Sequence, residues 1–380
     1  MPFFRIYMKE IKQIVEAYQK IDFSKNKAAL ATVVRVEGSS YRRTGARMLV
    51  MESGEWIGGI SGGCLEGDAL KKARLVMLQN KATLITYDTT DDDPYQIGVG
   101  LGCNGIIDVL ISPLDPHNEQ NAVLQLSSCL NQRTPNVIVT VTDVKKPNLQ
   151  EVEVELGQVF RYDNPDHFNS SFTLDTIKAD LVHEIETALL NTKSVSKTYV
   201  LASEATISLF IEVVPPPVHL YVFGSNYDVY PMVRIAKELG WKVTVICNPA
   251  RMHPSLFATA DAVMPKNHMP VVDRFTAAIS MCHDYETDYT NLQTLLNTGI
   301  SYIGLLGPKK RTIKMYARMA EEGKAITTED EERIFSPVGL DIGASTPEEI
   351  ALAVCAEIRA NFSGRDAGRL KFRNKPIYET

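Results

Sequence analysis

The segment Pro215-Pro216-Pro217-Val218-His219-Leu220-Tyr221-Val222-Phe223-Gly224-Ser225-Asn226-Tyr227-Asp228-Val229 decides how this chain is read. Consecutive prolines lack ladder donors and cannot continue a helix, so the chain divides at residues 215–217, a stiff linker. The run after them, Val218–Phe223, is an apolar strand that ends in a glycine turn ahead of a helical pattern, Val229–Leu239. Further on, expected strands Lys242–Cys247, Thr276–Met281 and Ser301–Leu305 alternate with an expected helix Tyr289–Asn297 and another after Pro308. That rhythm implies a doubly wound parallel sheet, a Rossmann-like domain over residues 218–380. Its last helix starts at Thr346-Pro347-Glu348-Glu349, which combines an N-cap, a proline at the first helical position and a capping-box glutamate.

Residues 1–214 read as an α+β domain, so the fold class is α/β with an α+β first part. Helices are expected at Glu10–Lys20, Cys64–Asn80 and Ile177–Leu190, the second with Leu65, Ala69, Ala73 and Met77 on one face. Strands are expected at Ala28–Val36, just before Gly58, and at Ile106–Ile111, Val137–Val141, Glu151–Tyr162 and Tyr199–Val214. Two domains also suit a chain of 380 residues, which is too long for one ordinary core.

With 44% hydrophobic and 23% charged residues the composition is globular. A net charge of −6 argues against general nucleic-acid binding, so an anionic ligand has to find a local basic cluster. The first twenty residues carry charges throughout and lack the apolar core of a signal peptide or membrane span, which makes the cytoplasm the expected location with no membrane partner. Six scattered cysteines, with no CxxC pair, give neither a disulfide framework nor a zinc site, and they cannot hold iron–sulfur clusters.

Five motifs carry chemistry. In Gly58-Gly59-Ile60-Ser61-Gly62-Gly63-Cys64-Leu65-Glu66-Gly67-Asp68 the glycines let a ligand approach the backbone, and the following helix turns its positive end to the same spot. Cys64 there is either a soft thiolate at a helix start or a buried cysteine in a tight turn. Gly98-Val99-Gly100-Leu101-Gly102-Cys103-Asn104-Gly105 contains a literal G-x-G-x-x-G, but it leads into a strand instead of opening a helix, so it is not read as a dinucleotide fingerprint. Cys103 and Asn104 either face Cys64 across a pocket or belong to a structural loop. Gly38-Ser39-Ser40-Tyr41-Arg42-Arg43-Thr44-Gly45-Ala46-Arg47 places three guanidinium groups beside the Ser40 hydroxyl, as an anion site or as a solvated basic turn.

The fourth motif is the Gly224 turn, where Asn226 and Val229 replace two fingerprint glycines and Asn248 stands where a ribose-binding acid would be. NAD(P) binding is therefore not the leading expectation, although an NAD(P)-dependent oxidoreductase remains the alternative reading. The fifth is Cys282-His283-Asp284-Tyr285-Glu286-Thr287-Asp288, at the carboxyl end of a parallel strand. His283 there is a base or ligand contact, or Asp284 or Thr287 simply caps the next helix. Lys309 and Arg311, after the Gly307-Pro308 turn, meet an anion or are solvated.

The stretches GSSYRRTGARM, ISGGCLEGD, GCNGIIDVL, YIGLLGPKKRT and SPVGLDIGASTPEEIA, in this order, resemble the XdhC/CoxI family of accessory proteins across nearly the whole chain. The resemblance implies a chaperone that binds molybdenum cofactor (molybdopterin), supports its sulfuration, and delivers it to xanthine dehydrogenase or a related molybdenum hydroxylase. A cysteine desulfurase as sulfur donor and a homodimeric state go with that picture, and no turnover chemistry is expected of the chain. Cys64, within Gly62, Gly63 and Glu66, matches the family's cofactor-associated cysteine motif. Arg42, Arg43 and Arg47 match its basic positions, and Cys103 matches GCNG. In the second domain Asp228, Pro231 and His283 match, whereas Asn226 and Asn248 depart from the fuller glycine turn and acidic strand end, and Thr44 stands where a proline is common.

Overall fold

Local sequence signals account for most of the elements in the computed structural model, which describes residues 8–90, 105–146, 153–251, 258–375 and 377. Contacts group the chain into two compact units, Phe4–Pro216 and Pro217–Thr380. The first unit opens with helix α1 (Met8–Tyr18), whose Ile11, Ile14, Val15 and Tyr18 are buried at helical spacing. Strands β1 (Ala28–Gly38), β2 (Arg47–Met51), β3 (Trp56–Gly58), β4 (Thr83–Asp88) and β5 (Gly105–Pro113) form an antiparallel sheet in the order β3-β2-β1-β5-β4. Helix α2 (Glu66–Gln79) covers one face of it, burying Ala69, Ala73, Val76 and Met77 against β1 and β5. Its expected apolar face is the one that packs.

Helix α3 (Ala122–Cys129) is capped by Asn121, whose side chain accepts from the Val123 amide. It leads to a second antiparallel sheet, β7-β6-β9-β8, made of β6 (Asn136–Lys145), β7 (Val159–Tyr162), β8 (Val195–Val200) and β9 (Thr206–Val214). Helices α4 (Pro165–Ser171) and α5 (Asp175–Asn191) lie between β7 and β8 in sequence, and Phe160, Phe168 and Phe172 pack at ring distances of 5.2 and 5.4 Å in the core. Two expected strands are shorter than their sequence pattern. Of the expected strand Glu151–Tyr162, the described residues 153–162 are strand only at Val159–Tyr162, because Gly157 turns at φ +87° with Ala82 and Ser112 pressed against it. Tyr199–Val214 holds the end of β8, a turn and β9 of one hairpin: the chain reverses at residues 201–205, with Glu204 at φ +62°, and the apolar alternation resumes after the turn.

The second unit holds β10 (His219–Phe223), β11 (Lys242–Ile246), β12 (Ala262–Met264), β13 (Thr276–Ser280), β14 (Tyr302–Leu305) and β15 (Ile334–Phe335). They form one parallel sheet, ordered β12-β11-β10-β13-β14-β15. The winding starts in the middle, runs out to β12, returns to β13 and runs out the other way, the doubly wound Rossmann topology. Among the described residues its longer helices include α6 (Val229–Glu238), α7 (Tyr285–Leu296), α8 (Lys309–Glu321), α9 (Thr328–Arg333) and α10 (Pro347–Phe362). The capping box at Thr346 and Glu349 is present as the sequence indicates. Helix α7 begins four residues earlier than expected because Asp284 caps it, accepting from the Thr287 amide at 2.8 Å.

Candidate functional site

Glu66, the first residue of α2, folds back over the glycine loop that leads into its own helix. One carboxylate oxygen accepts from the amides of Ile60 (3.0 Å) and Ser61 (2.7 Å), and the other accepts from the Ser61 hydroxyl. The Ser61 oxygen in turn accepts from the amides of Gly63 (3.1 Å) and Leu65 (3.0 Å). Burial pushes the Glu66 pKa up, but the Ser61 hydroxyl and the amides of Ser61, Glu66 and Ile60 prevail and hold it below the usual carboxylate range. The inner N–H groups of the loop are thus satisfied by the chain's own anion, and the loop is fixed before any ligand arrives. Gly62 and Gly63 face solvent, and Gly63 sits at φ +112°, a conformation that side chains avoid. Cys64 follows as a free, half-buried thiol packed against the β1–β5–α2 core, in the turn ahead of the helix, with Leu65 at the N-cap position.

Glu10 of α1 ties the arginine turn to this loop. Its carboxylate pairs with the Arg42 guanidinium and accepts from the Arg47 amide at 3.1 Å, and its Cγ lies 3.5 Å from where a Gly58 Cβ would be. The Tyr41 ring lies 3.4 Å from the corresponding position of Gly62, so the two motifs meet in space. Their cations do not present themselves as a cluster. Arg47 is 3% exposed, donates to the Gly45 carbonyl (2.7 Å) and forms an ion pair with Glu212, itself 5% exposed, on β9. Arg43 donates to the Gly38 carbonyl at 2.9 Å. Arg42 and Arg47 therefore hold the turn in place. Ser40 is buried and its hydroxyl has no hydrogen-bond partner among the described residues. Gly105 opens β5 directly against the Ser39 backbone, so that glycine does lead into a strand. Gly100, Gly102, Cys103 and Asn104, and with them the expected facing of Cys103 and Cys64, lie outside the described residues.

In the second unit the candidates gather where the winding of the sheet reverses, at the carboxyl ends of β10 and β13, the crevice in which open α/β sheets place ligands. Three alternate residues of the Gly224 turn fasten to three successive residues after β13. A Cβ on Gly224 would lie 2.7 Å from the Met281 carbonyl, Asn226 donates to the Cys282 carbonyl (3.4 Å), and Asp228 bonds His283 Nε2 at 2.6 Å. Asp228 is buried with its second oxygen unpartnered, and His283 takes a left-handed φ of +59° on a half-exposed side chain. Arg311 is held by the buried Asp288, which also accepts from Ser280 (2.7 Å) and the Cys282 amide (3.1 Å). Burial, reinforced by Asp288, pushes the Cys282 thiol up to about 12. Lys309 is exposed at the start of α8. Glu10 and Glu212 escape the sequence reading, and Asp288 enters it only as the end of its motif and not as the partner of Arg311, because these partners lie 32, 165 and 23 residues away with no local pattern to link them.

Among the described residues no group of three or more His, Cys, Asp or Glu is placed to hold a metal ion, and no helix is long and apolar enough to cross a membrane. A family model described as the XdhC Rossmann domain matches residues 220–358, and one described as the XdhC and CoxI family matches residues 24–88. The chain is 32% identical over 337 residues to a probable xanthine dehydrogenase subunit of Bacillus subtilis (strain 168), covering 87% of this chain and 92% of that one. It is 24% identical over 331 residues to the molybdenum cofactor insertion chaperone PaoD of Escherichia coli (strain K12), covering 87% and 82%. A crystal structure of a xanthine dehydrogenase from Bacillus halodurans matches with a TM-score of 0.67 at 25% identity, over 95% of this chain and 98% of that chain.

Proposed function

The chain belongs to the XdhC and CoxI family, and on that premise we propose that it is a carrier that binds molybdenum cofactor on its first unit, supports sulfuration of the cofactor and passes it to xanthine dehydrogenase or a related molybdenum hydroxylase. The observation that supports this reading best is the loop fixed by Glu66 and Ser61, which offers Cys64 beside two bare, exposed glycines. The residues fit such a group. A thiol is a soft donor suited to a molybdenum–dithiolene centre, bare glycine backbone admits a flat ring system, and the buried, unpartnered Ser40 hydroxyl in the adjoining turn lacks a polar partner. Bound there, the cofactor supplies the redox centre that the recipient enzyme uses. Cys64, Gly62, Gly63, Ser40 and Arg43, together with Cys103 and Asn104, would hold it, while Glu66, Arg42 and Arg47 keep the two loops in register. A cysteine desulfurase as sulfur donor, a homodimer and a cytoplasmic location complete the proposal.

The rival reading, an NAD(P)-dependent oxidoreductase working through the second unit, has the strand order in its favour. Against it, Asn226 and Asp228 span the turn over which a pyrophosphate would have to lie, and Asp228 brings a carboxylate to the helix start. Purification with molybdopterin present, followed by oxidation and fluorescence of co-eluting pterin, separates the two. Wild type is expected to retain pterin and Cys64→Ala to lose most of it. Absence of pterin from wild type, or equal retention by the variant, would overturn the carrier reading.

A further inference from the structure

Helix α2 carries large apolar side chains on two sides, and the fold buries only one of them. Ala69, Ala73, Val76 and Met77 point into the core. On the opposite side a ridge of helical neighbours runs Gly67, Lys71, Arg74, Leu75, Leu78, with Leu75 51% and Leu78 75% exposed. Lys71, Lys72 and Arg74 are exposed, and among the described residues none of them has an ion-pair partner. That is unlike Arg35, Arg42, Arg47, Arg161, Arg311 and Arg333, each of which pairs with a carboxylate. What sets these cations apart is that they flank two exposed leucines on the same helix face. A position beyond Gly67 is open, with nothing within 4 Å of where its Cβ would be, so a partner can approach the backbone there, one turn from Cys64.

We propose that this outer ridge of α2 is the docking surface for the protein that receives the cofactor, and that the partner surface is an acidic groove with an apolar floor. The inference rests on the carrier reading above. Charge complementarity selects the partner: Lys71, Lys72 and Arg74 meet carboxylates at the rim, and Leu75 and Leu78 enter the apolar centre. The ridge starts at Gly67, so a surface seated on it reaches the loop that presents Cys64. A lipid surface fits less well, because two leucines expose too narrow an apolar strip for a helix whose other face is sealed in a core.

Two double variants of the full chain test this, Lys71→Glu/Arg74→Glu and Leu75→Ser/Leu78→Ser, each measured by thermal unfolding, by pterin retention, and by affinity for the molybdenum-free form of the organism's own xanthine dehydrogenase. Unfolding and pterin retention are expected to stay at wild-type levels, while both variants bind the enzyme about tenfold or more weakly. Salt is expected to weaken the wild-type complex more steeply than that of the charge-reversed variant. Loss of pterin from wild type with an α2-dependent complex intact would sink the carrier reading and leave the docking surface standing. Unchanged affinity in both variants, no complex with wild type, binding only to phosphatidylglycerol vesicles, or a dimer that the variants convert to monomer would each overturn the docking surface.

Discussion

Glu66 does at the scale of a residue what a bound anion does in many glycine loops, since it collects the amides that would otherwise be left for a ligand. Its folded pKa is below the unfolded one, so its contribution to stability is complete above the ordinary value of 4.5 and is lost as pH falls towards the folded pKa. Replacing it by Gln is expected to cost about 2 kcal/mol at neutral pH, the scale of hydrogen bonds to a charged group. The difference between wild type and Glu66→Gln, measured by urea unfolding, should be flat from neutral pH down to mildly acid conditions and shrink below the ordinary carboxylate range. A difference that grew on acidification would show that the carboxylate is not held by these amides. The motif was legible in the sequence, whereas Glu66 reads there as part of a cofactor site and not as the acid that closes the loop, although all its partners lie within six residues. Glu10, which fastens Arg42 and the Arg47 amide, was not legible. Only the packing of α1 on β2 and β3 brings it there.

At the scale of elements, Arg47 on β2 and Glu212 on β9 form a buried ion pair between the two sheets of the first unit. Charges taken out of water gain little as a pair, but breaking one leaves an uncompensated charge, so Glu212→Ala is expected to destabilise by about 3 to 5 kcal/mol. Replacing both, Arg47→Met with Glu212→Leu, should recover much of that loss. If the double variant were as unstable as the single one, the pair would be supplying more than mutual neutralisation. From sequence, Arg47 reads as an open cation of a basic turn, because exposure is decided by which sheet covers β2 and nothing nearby encodes that. Elements with local chemistry were readable: the Thr346–Glu349 capping box, the α2 core face and the strand–turn–helix at Gly224 all appear where their patterns put them. The β8–β9 hairpin was missed on its first strand because Val195–Val200 exposes every second residue at a sheet edge, with little apolar signal before Tyr199.

At the scale of the whole molecule, each unit has apolar clusters of its own among the described residues. The apolar clusters built around Phe168, Met48 and Ile14 draw only on the first unit, and the cluster around Leu292 draws only on the second. A piece of chain with its own core and its own complete sheets folds alone, so residues 1–216 and 218–380, expressed separately, are each expected to unfold cooperatively in calorimetry. The pterin site proposed above lies wholly on the first of them, so 1–216 should retain pterin at the level of the full chain and 218–380 should retain none. The second piece bears the alternative chemistry. Because Asn226 and Asp228 fasten the Gly224 turn to the loop after β13, titration of 218–380 with NAD(H) or NADP(H) is expected to release no saturable heat. Saturable heat would show that those latches open for a pyrophosphate, and would move the working site from the Cys64 loop to the Rossmann crevice. Failure of 1–216 to fold alone would mean that the second unit contributes to the stability of the first, and pterin retention would then have to be followed in the full chain.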